Sequence, residues 1–317
     1  MNKGRVVLAG GSGVLGRYLE QELLARGYQP RILTRSPRGA RDIAWDGRTR
    51  GDWTSELDGA RAVVNLAGRN VSCRHTAANR REIVESRVDS VEVLGSVMAS
   101  LAAPPPVWVQ AGSLAYFGDR GDEVLSEDAA PGTGFPADVC RRWEAAFASA
   151  VVPRTRKVFL RIGFVFDRDG GALPLLARFA RMGVGRLGSG QQLVSWIGIH
   201  DFTRVTLWAI ERDTVVGTYN ATAARPVTNA ALMTALREVA GRSCALPLPE
   251  WAVRVGAVVM RTEASLALGG RGAIPTRLLA EGFELEHGDV RTAIHDLFLM
   301  PKRRALTRRH ARAPSRS

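Results

Sequence analysis

The sequence predicts an α/β fold: a doubly wound parallel sheet followed by a smaller, mainly helical C-terminal lobe. Three observations predict it. The chain opens with a short apolar run, a glycine-rich turn and a stretch of helical periodicity, in that order. Apolar runs then alternate with helical stretches through the first half, as the strands and crossover helices of a parallel sheet do. Past Phe164 the alternation gives way to mostly helical spacing, with breaks near Pro247, Gly269 and Pro275.

Arg5-Val6-Val7-Leu8-Ala9 reads as a buried strand. It runs into Gly10-Gly11-Ser12-Gly13-Val14-Leu15-Gly16, after which Leu15, Tyr18, Leu19 and Leu23 recur at helical spacing until Gly27 ends the helix. A G-x-x-G-x-x-G run between strand and helix is the setting of a dinucleotide-binding turn, and it makes the sheet a Rossmann sheet. Gly10 turns the chain out of the strand. Gly13 lets a pyrophosphate approach the backbone, and Gly16 lets the helix pack close to the sheet. The free N–H groups and positive dipole end of the helix then face the phosphates.

The second strand, residues 31–34, ends in Thr34-Arg35-Ser36-Pro37-Arg38. A site selecting NAD usually carries Asp or Glu there for the ribose hydroxyls, and none is present. Arg35 has the donors to pair with a 2′-phosphate. The cofactor expected is therefore NADP(H), with Arg35 as main reader and Thr34 or Ser36 assisting. The competing reading of Arg35 is a solvated surface arginine.

Residues 43–45 fit a short third strand. Ala62-Val63-Val64-Asn65-Leu66-Ala67-Gly68 is a buried strand whose small terminal residues leave room for a ligand. A helix over 80–101 carries Val84, Val88, Val91, Leu94, Met98 and Leu101 on one side and stops at three prolines. Strand 107–111 leads into Gly112-Ser113-Leu114-Ala115-Tyr116-Phe117-Gly118, and 119–136 is a Gly/Pro-rich loop of the kind that carries function. Further on, helices fit 138–149, 173–182 and 201–210, and strands fit 158–162 and 193–199. The expected organisation is an NADP-binding domain over 1–165, to which 191–222 returns. A substrate lobe takes 166–190 and 223–300, and a basic, disordered tail takes 301–317.

The charge sharpens that division. The 317 residues carry a net +13, of which seven charges (Lys302, Arg303, Arg304, Arg308, Arg309, Arg312, Arg316) fall in the acid-free tail, leaving +6 on the rest. Such a tail touches nucleic acid or anionic lipid, or is a solvated extension. No recognition helix, zinc pattern or aromatic-basic stripe supports nucleic-acid binding elsewhere. No run of 18 apolar residues and no signal-peptide pattern is present, so no membrane span is expected. Cys73, Cys140 and Cys244 lie far apart without metal-ligand spacing. The expectation is a cytoplasmic protein with no metal. Oligomeric state is not legible.

The chain resembles the short-chain dehydrogenase/reductase superfamily in its extended, sugar-nucleotide-epimerase-like branch. The residues that carry the resemblance are the glycine turn, Asn65-Leu66-Ala67-Gly68 and Ser113 with Phe117-Gly118. Ser86-Arg87, Cys140-Arg141-Arg142-Trp143-Glu144, Gly188-Ser189-Gly190-Gln191, Trp196-Ile197-x-Ile199-x-Asp201 and Leu268-Gly269-Gly270 resemble one atypical subgroup. That subgroup is labelled NAD-dependent epimerase/dehydratase and has its own helical C-terminal domain. The resemblance spans residues 3–299. It implies cofactor contacts at Thr34-Arg35, at Leu66-Ala67, from Glu82 and Arg87 on the long helix, and at Val165.

The superfamily's catalysis usually rests on Ser, Tyr and Lys, and here the resemblance breaks. Ser113 fits the serine position. Phe135 stands where the Tyr is expected and Val139 where the Lys is expected. Proton transfer by a positioned side chain is worth about 10²–10⁴-fold, and neither replacement can supply it. Tyr116 is the nearest substitute in sequence, or else an aromatic wall of the pocket. Asp138 reads as a helix cap and Cys140 as a small buried hydrophobe. His200 and Asp201 are adjacent, so a base and its orienter are not expected of them. Trp196, Trp251 and several arginines suggest a partly aromatic, anion-tolerant pocket.

Two functions follow. One is an NADP-dependent oxidoreductase or epimerase acting on a small carbonyl or hydroxyl compound, with Ser113 and Tyr116 holding the substrate oxygen. The other is a non-catalytic NADP(H)-binding sensor or scaffold.

Overall fold

Seven parallel strands form the central sheet in the computed structural model, which describes residues 2–300. In chain order they are β1 (Arg5–Ala9), β2 (Gln29–Thr34), β3 (Asp42–Ala44), β4 (Ala62–Asn65), β5 (Val107–Ser113), β6 (Arg156–Ile162) and β7 (Gly217–Ala221). Their spatial order is β7-β6-β5-β4-β1-β2-β3. The order reverses between β1 and β4, which register Ala9 against Asn65. In such sheets the crevice for a ligand opens at that reversal, beyond the strands' carboxyl ends. The basic tail over 301–317 lies outside the described residues.

The near-continuous apolar character of the strands has a simple cause. Both faces of the sheet are covered, so both sets of alternating side chains are buried. On β1, Val6 and Leu8 face helices α1 (Val14–Ala25) and α5 (Ile199–Glu211) through Leu19, Leu23, Phe202 and Val205. Val7 and Ala9 face α2 (Ala77–Ser100) and α3 (Phe135–Ser149) through Val91, Leu94, Trp143 and Phe147. A third apolar cluster lies apart from these. It joins α4 (Leu173–Arg181), α6 (Asn229–Val239) and the helix Val290–Leu299 through Leu173, Leu232, Leu236 and Ile294. A further helix, α7 (Glu250–Val259), presents Trp251, Val255 and Val259 outward.

Three expectations need correction, and one strand, β7, carries no sequence signal. Strand 193–199 is two pieces, Leu193–Val194 and Trp196–Gly198, with different partners. The switch falls at Ser195, whose hydroxyl accepts the Ala273 N–H at 2.8 Å and holds the chain to another segment. β7 begins at Gly217 with φ +83, and its short, polar-interrupted GTYNA sequence gives no periodic signal. The long helix begins at Ala77 because the Thr76 hydroxyl caps it, accepting the Asn79 N–H. α3 opens at Phe135 with Pro136 in its first turn, a position where a missing N–H costs nothing.

Two buried polar links hold the carboxyl ends of the strands in place. Asn65 Nδ2 donates to Gln110 Oε1 at 3.0 Å and to Ser90 Oγ at 3.1 Å, while its own Oδ1 accepts the Ala67 N–H at 3.0 Å. Arg161 on β6 grips Glu144 on α3 through two bonds of 2.9 and 2.8 Å, and its third donor reaches the Glu127 carbonyl at 2.8 Å. Burial pushes the Glu144 carboxyl above its ordinary range despite this partner. Removing one member of such a buried pair leaves the other charge without compensation. Arg161→Met is therefore expected to lower the unfolding free energy by about 3–5 kcal/mol in urea titration. A loss below about 1 kcal/mol would show the pair to be no stronger than a surface one.

Candidate active site

The glycine turn leaves β1 at Gly10, whose φ of +72 favours glycine. A Cβ there would lie 2.7 Å from the Ala67 Cα, so the turn and the loop after β4 touch backbone to backbone. Gly16 is inside the first turn of α1, which starts at Val14 and not after the last glycine. A Cβ on Gly16 would sit 2.0 Å from the Gly11 carbonyl oxygen. The nearest packing that needs Gly16 is thus against the backbone of Gly11, just beyond β1. Gly13 differs from both. A Cβ there meets nothing nearer than 3.9 Å, so its outer side is open. No side chain caps α1 and no acid lies in its first turn, which leaves its N–H groups and dipole to an external anion.

Of the remaining dinucleotide candidates, Thr34 and Ala67 touch this turn directly, and the others lie on neighbouring elements. The Thr34 hydroxyl, buried at the end of β2, donates to Ser12 Oγ at 3.0 Å and accepts the Ser36 N–H at 3.4 Å. Arg35 beside it is exposed and has no ion pair among the described residues. Leu66, Ala67 and Gly68 form the loop beyond β4, with Ala67 fixed by Asn65. Arg87 reaches Gly68 from α2: a Cβ on that glycine would lie 3.1 Å from the guanidinium carbon. The Arg87 guanidinium also donates to the Ile83 carbonyl at 2.9 Å and lies over the Trp143 ring, and burial lowers its pKa. Glu82 is exposed and pairs with Arg69. Val165 lies on the short strand Phe164–Phe166, paired with Ile197. The loop that follows crosses α1. Tyr18 donates to Asp167 at 2.8 Å, and a Cβ on Gly170 would strike Val14 at 2.6 Å. Sequence reading missed this loop, because nothing in residues 167–170 encodes contact with a helix 150 residues earlier.

Beyond the carboxyl ends of β5 and β6 lies a chamber of about 390 Å³. Ser113 and Gly163 line it on the sheet side, and α4 and α7 close it on the other. The Ser113 hydroxyl accepts the Ala115 N–H at 3.1 Å, so its own proton is free to donate. Tyr116 is not brought to this chamber. It lines a separate opening with Lys157 and Thr218, and the Arg161 guanidinium lies 3.7 Å from its ring centre. The expectation that Tyr116 shares a substrate oxygen with Ser113 is corrected accordingly: the short helix Leu114–Phe117 turns the ring away. Neither Trp196 nor Trp251 lines the chamber. Trp196 is buried and stacked on Phe166 at 4.8 Å, and Trp251 is 70% exposed.

At the start of α3, Phe135 packs edge-on against His75 at 5.0 Å and under Arg80, while Val139 is buried. Asp138 does not cap the helix. Gly134 occupies the cap position, and Asp138 pairs with Arg141 and Arg142. Asp201 accepts the Glu286 N–H through both oxygens, while neighbouring His200 meets Tyr18 edge-on, so the two side chains serve different contacts. No group of three or more metal-ligating side chains occurs among the described residues, and no described helix is long and apolar enough to cross a membrane.

Residues 6–222 match the family model described as the NAD dependent epimerase/dehydratase family, and residues 248–297 match a domain of unknown function, DUF1731. The chain is 32% identical over 295 residues to the epimerase family protein ML0860 of Mycobacterium leprae, covering 92% of this chain and 95% of that one. It is 35% identical over 300 residues to bovine epimerase family protein SDR39U1, covering 92% and 99%. A crystal structure of human SDR39U1 with NADPH superimposes with a TM-score of 0.84 at 31% identity, over 92% of this chain and 98% of that one.

Cys140 offers a direct check on the packing of α3. Burial pushes its thiol up to about 12, whereas Cys244 is exposed and Cys73 half-exposed. A thiol reagent at pH near 8 is therefore expected to titrate Cys73 and Cys244 in the native protein and Cys140 only after denaturation. Rapid native labelling of Cys140, located by peptide mapping, would contradict the packing described.

Proposed function

The chain belongs to the NAD dependent epimerase/dehydratase family, and on that footing we propose that it is an NADP(H)-dependent oxidoreductase or epimerase. Its substrate is a small carbonyl or hydroxyl compound held beside Ser113. Residues 1–165 with 191–222 form the cofactor-binding part, and 166–190 with 223–300 the substrate lobe. The observation that carries the reading is the pairing of an open, uncapped glycine turn with an Arg35 at the edge of β2 that has no ion pair among the described residues.

These residues fit the dinucleotide. The N–H groups over Gly11–Gly16 would hold the pyrophosphate, and the clearance over Gly13 admits it. Arg35 pairs with a 2′-phosphate, supported by Ser36 and by Thr34, which holds Ser12 in place. Leu66, Ala67 and Gly68 bound the crevice on the β4 side, Arg87 supplies a positive charge beside Gly68, and Val14, Leu15 and Val165 provide apolar contacts. Glu82 is spoken for by Arg69 and acts by holding that arginine. When bound, the nicotinamide supplies a hydride donor or acceptor. Ser113 positions the substrate oxygen by donating its hydroxyl proton to it. Phe135 and Val139 hold no exchangeable proton, so the usual Tyr acid and its Lys partner are replaced by an arrangement without them. A second reading, NADP(H) binding without turnover, draws its support from the same two residues.

Fluorescence titration tests the cofactor assignment. NADPH is expected to bind at least about tenfold tighter than NADH, the scale of one charge-assisted contact, and Arg35→Ala to abolish that difference without weakening NADH. Equal affinities in the wild type would remove it. With a carbonyl substrate in hand, Ser113→Ala is expected to lower kcat by roughly 10²-fold while leaving NADPH affinity unchanged. Tight NADPH binding with no oxidation across a broad carbonyl panel would favour the second reading.

A further inference from the structure

The chamber beside Ser113 is mostly apolar, with Ser72, Ser195, Asn229 and Thr262 among its polar lining. Leu175, Leu176 and Phe179 of α4, Leu232 of α6, and Val253 and Ala257 of α7 form its walls. Among the described residues only two charged ones line it, Glu263 and Arg271. Glu263 is occupied, since its carboxylate accepts the His75 N–H at 2.8 Å. Arg271 is not. Its backbone is fixed, with the N–H donating to the Leu193 carbonyl at 2.8 Å and the carbonyl accepting from Ser195 at 2.7 Å. Its side chain makes no hydrogen bond or ion pair among the described residues, and its Nε is shut off from solvent without a partner. Asp119 acts on it electrostatically without an ion pair, and one Asp119 oxygen accepts the Gly270 and Gly121 N–H groups. A half-buried guanidinium with no acceptor is costly, and burial lowers its pKa accordingly. The cost is removed when an anion enters.

From this arrangement we infer that the substrate is an apolar monoanion, such as an aliphatic or aryl-aliphatic compound with one carboxylate, whose charged end pairs with Arg271 while its body fills the chamber. A sugar nucleotide fits poorly. Its diphosphate brings at least two charges and its sugars many hydroxyls, against a single cation in the lining among the described residues and walls mostly of Leu, Phe, Val and Ala. The volume lies in the range of small-ligand cavities, about 300–1,000 Å³. Helix α7 adds an independent observation. Its inner side lines the chamber, yet its outer side exposes Trp251 at 70%, Val255 at 56% and Val259 at 76%. Exposed apolar side chains on the outer side suit the approach of an apolar ligand to that wall. The inference builds on the cofactor reading only for the reaction; the binding it describes stands apart.

Displacement of dansyl undecanoic acid from the full-length protein tests it, with NADPH binding followed in parallel. Dodecanoate is expected to displace the probe about tenfold better than dodecanol, the scale of one charge-assisted bond, and UDP-glucose is expected not to displace it. Arg271→Gln should erase the advantage of dodecanoate over dodecanol, and Arg271→Lys should keep most of it. Ala257→Phe, which fills the chamber, should weaken both ligands. Retained NADPH binding shows that each variant is folded. UDP-glucose displacing the probe as well as dodecanoate would overturn the inference. So would Arg271→Gln weakening NADPH while sparing dodecanoate, because the guanidinium would then belong to the cofactor. A wild-type protein that binds dodecanoate as expected but not NADPH would support the inference and sink the cofactor reading alone.

Discussion

Everything at the sheet's carboxyl edge depends on backbone meeting backbone at the first turn. Gly10 touches the loop after β4, and Gly16 touches Gly11, at distances no Cβ could occupy. These contacts press the start of α1 onto the reversal point of the strand order and leave the outer side of Gly13 clear. A side chain at either contact would push the helix off axis, and the uncapped N–H groups would no longer converge on one place. The geometry is set by what these positions lack. It tolerates almost no variation, because packed backbone cannot yield as a flexible side chain can.

The rest of the crevice is built by anchoring loops to that turn. Asn65 is fully buried and satisfied on both sides of its amide, so the loop carrying Ala67 has one position. Thr34 ties the end of β2 to Ser12, and Tyr18 ties α1 to the 167–170 loop. Arg161 fixes α3 to β6 beneath Tyr116 and so takes that ring out of contention for chemistry. Phe135 and Val139 stand in the first turns of that helix, and its buried charge, Glu144, holds the helix to the sheet. The polar groups on the chamber's sheet side include the Ser113 hydroxyl, and Arg271 brings a charge to its lining.

Much of this was legible in the sequence, for physical reasons. The glycine turn, the apolar strands and the amphipathic helices are local patterns, so β1, α1, β4, α2 and β5 read directly from spacing. Thr34 and Ala67, expected at the cofactor, lie against the turn because strand ends in a parallel sheet must lie beside one another. What could not be read depends on distant pairings. β7 is polar and short, and becomes a strand only through β6. Ser195 breaks a strand because of a residue 78 positions later. Tyr116 follows Ser113 by three residues, yet one turn of tight helix sends it to another cavity. Arg271 carried no signal at all. It sits in a glycine-rich stretch among 44 lysines and arginines, and only the fold shows that it lines a largely apolar chamber with no side-chain hydrogen bond or ion pair among the described residues.

Hydrogen–deuterium exchange with each coenzyme tests the central claim most directly. If the turn grips a dinucleotide diphosphate and Arg35 chooses its phosphorylated form, NADPH will slow exchange in peptides covering residues 10–17 and 33–37, and NADH at equal concentration will protect the second far less. Protection of neither segment by NADPH, or identical protection of 33–37 by both coenzymes, would contradict it.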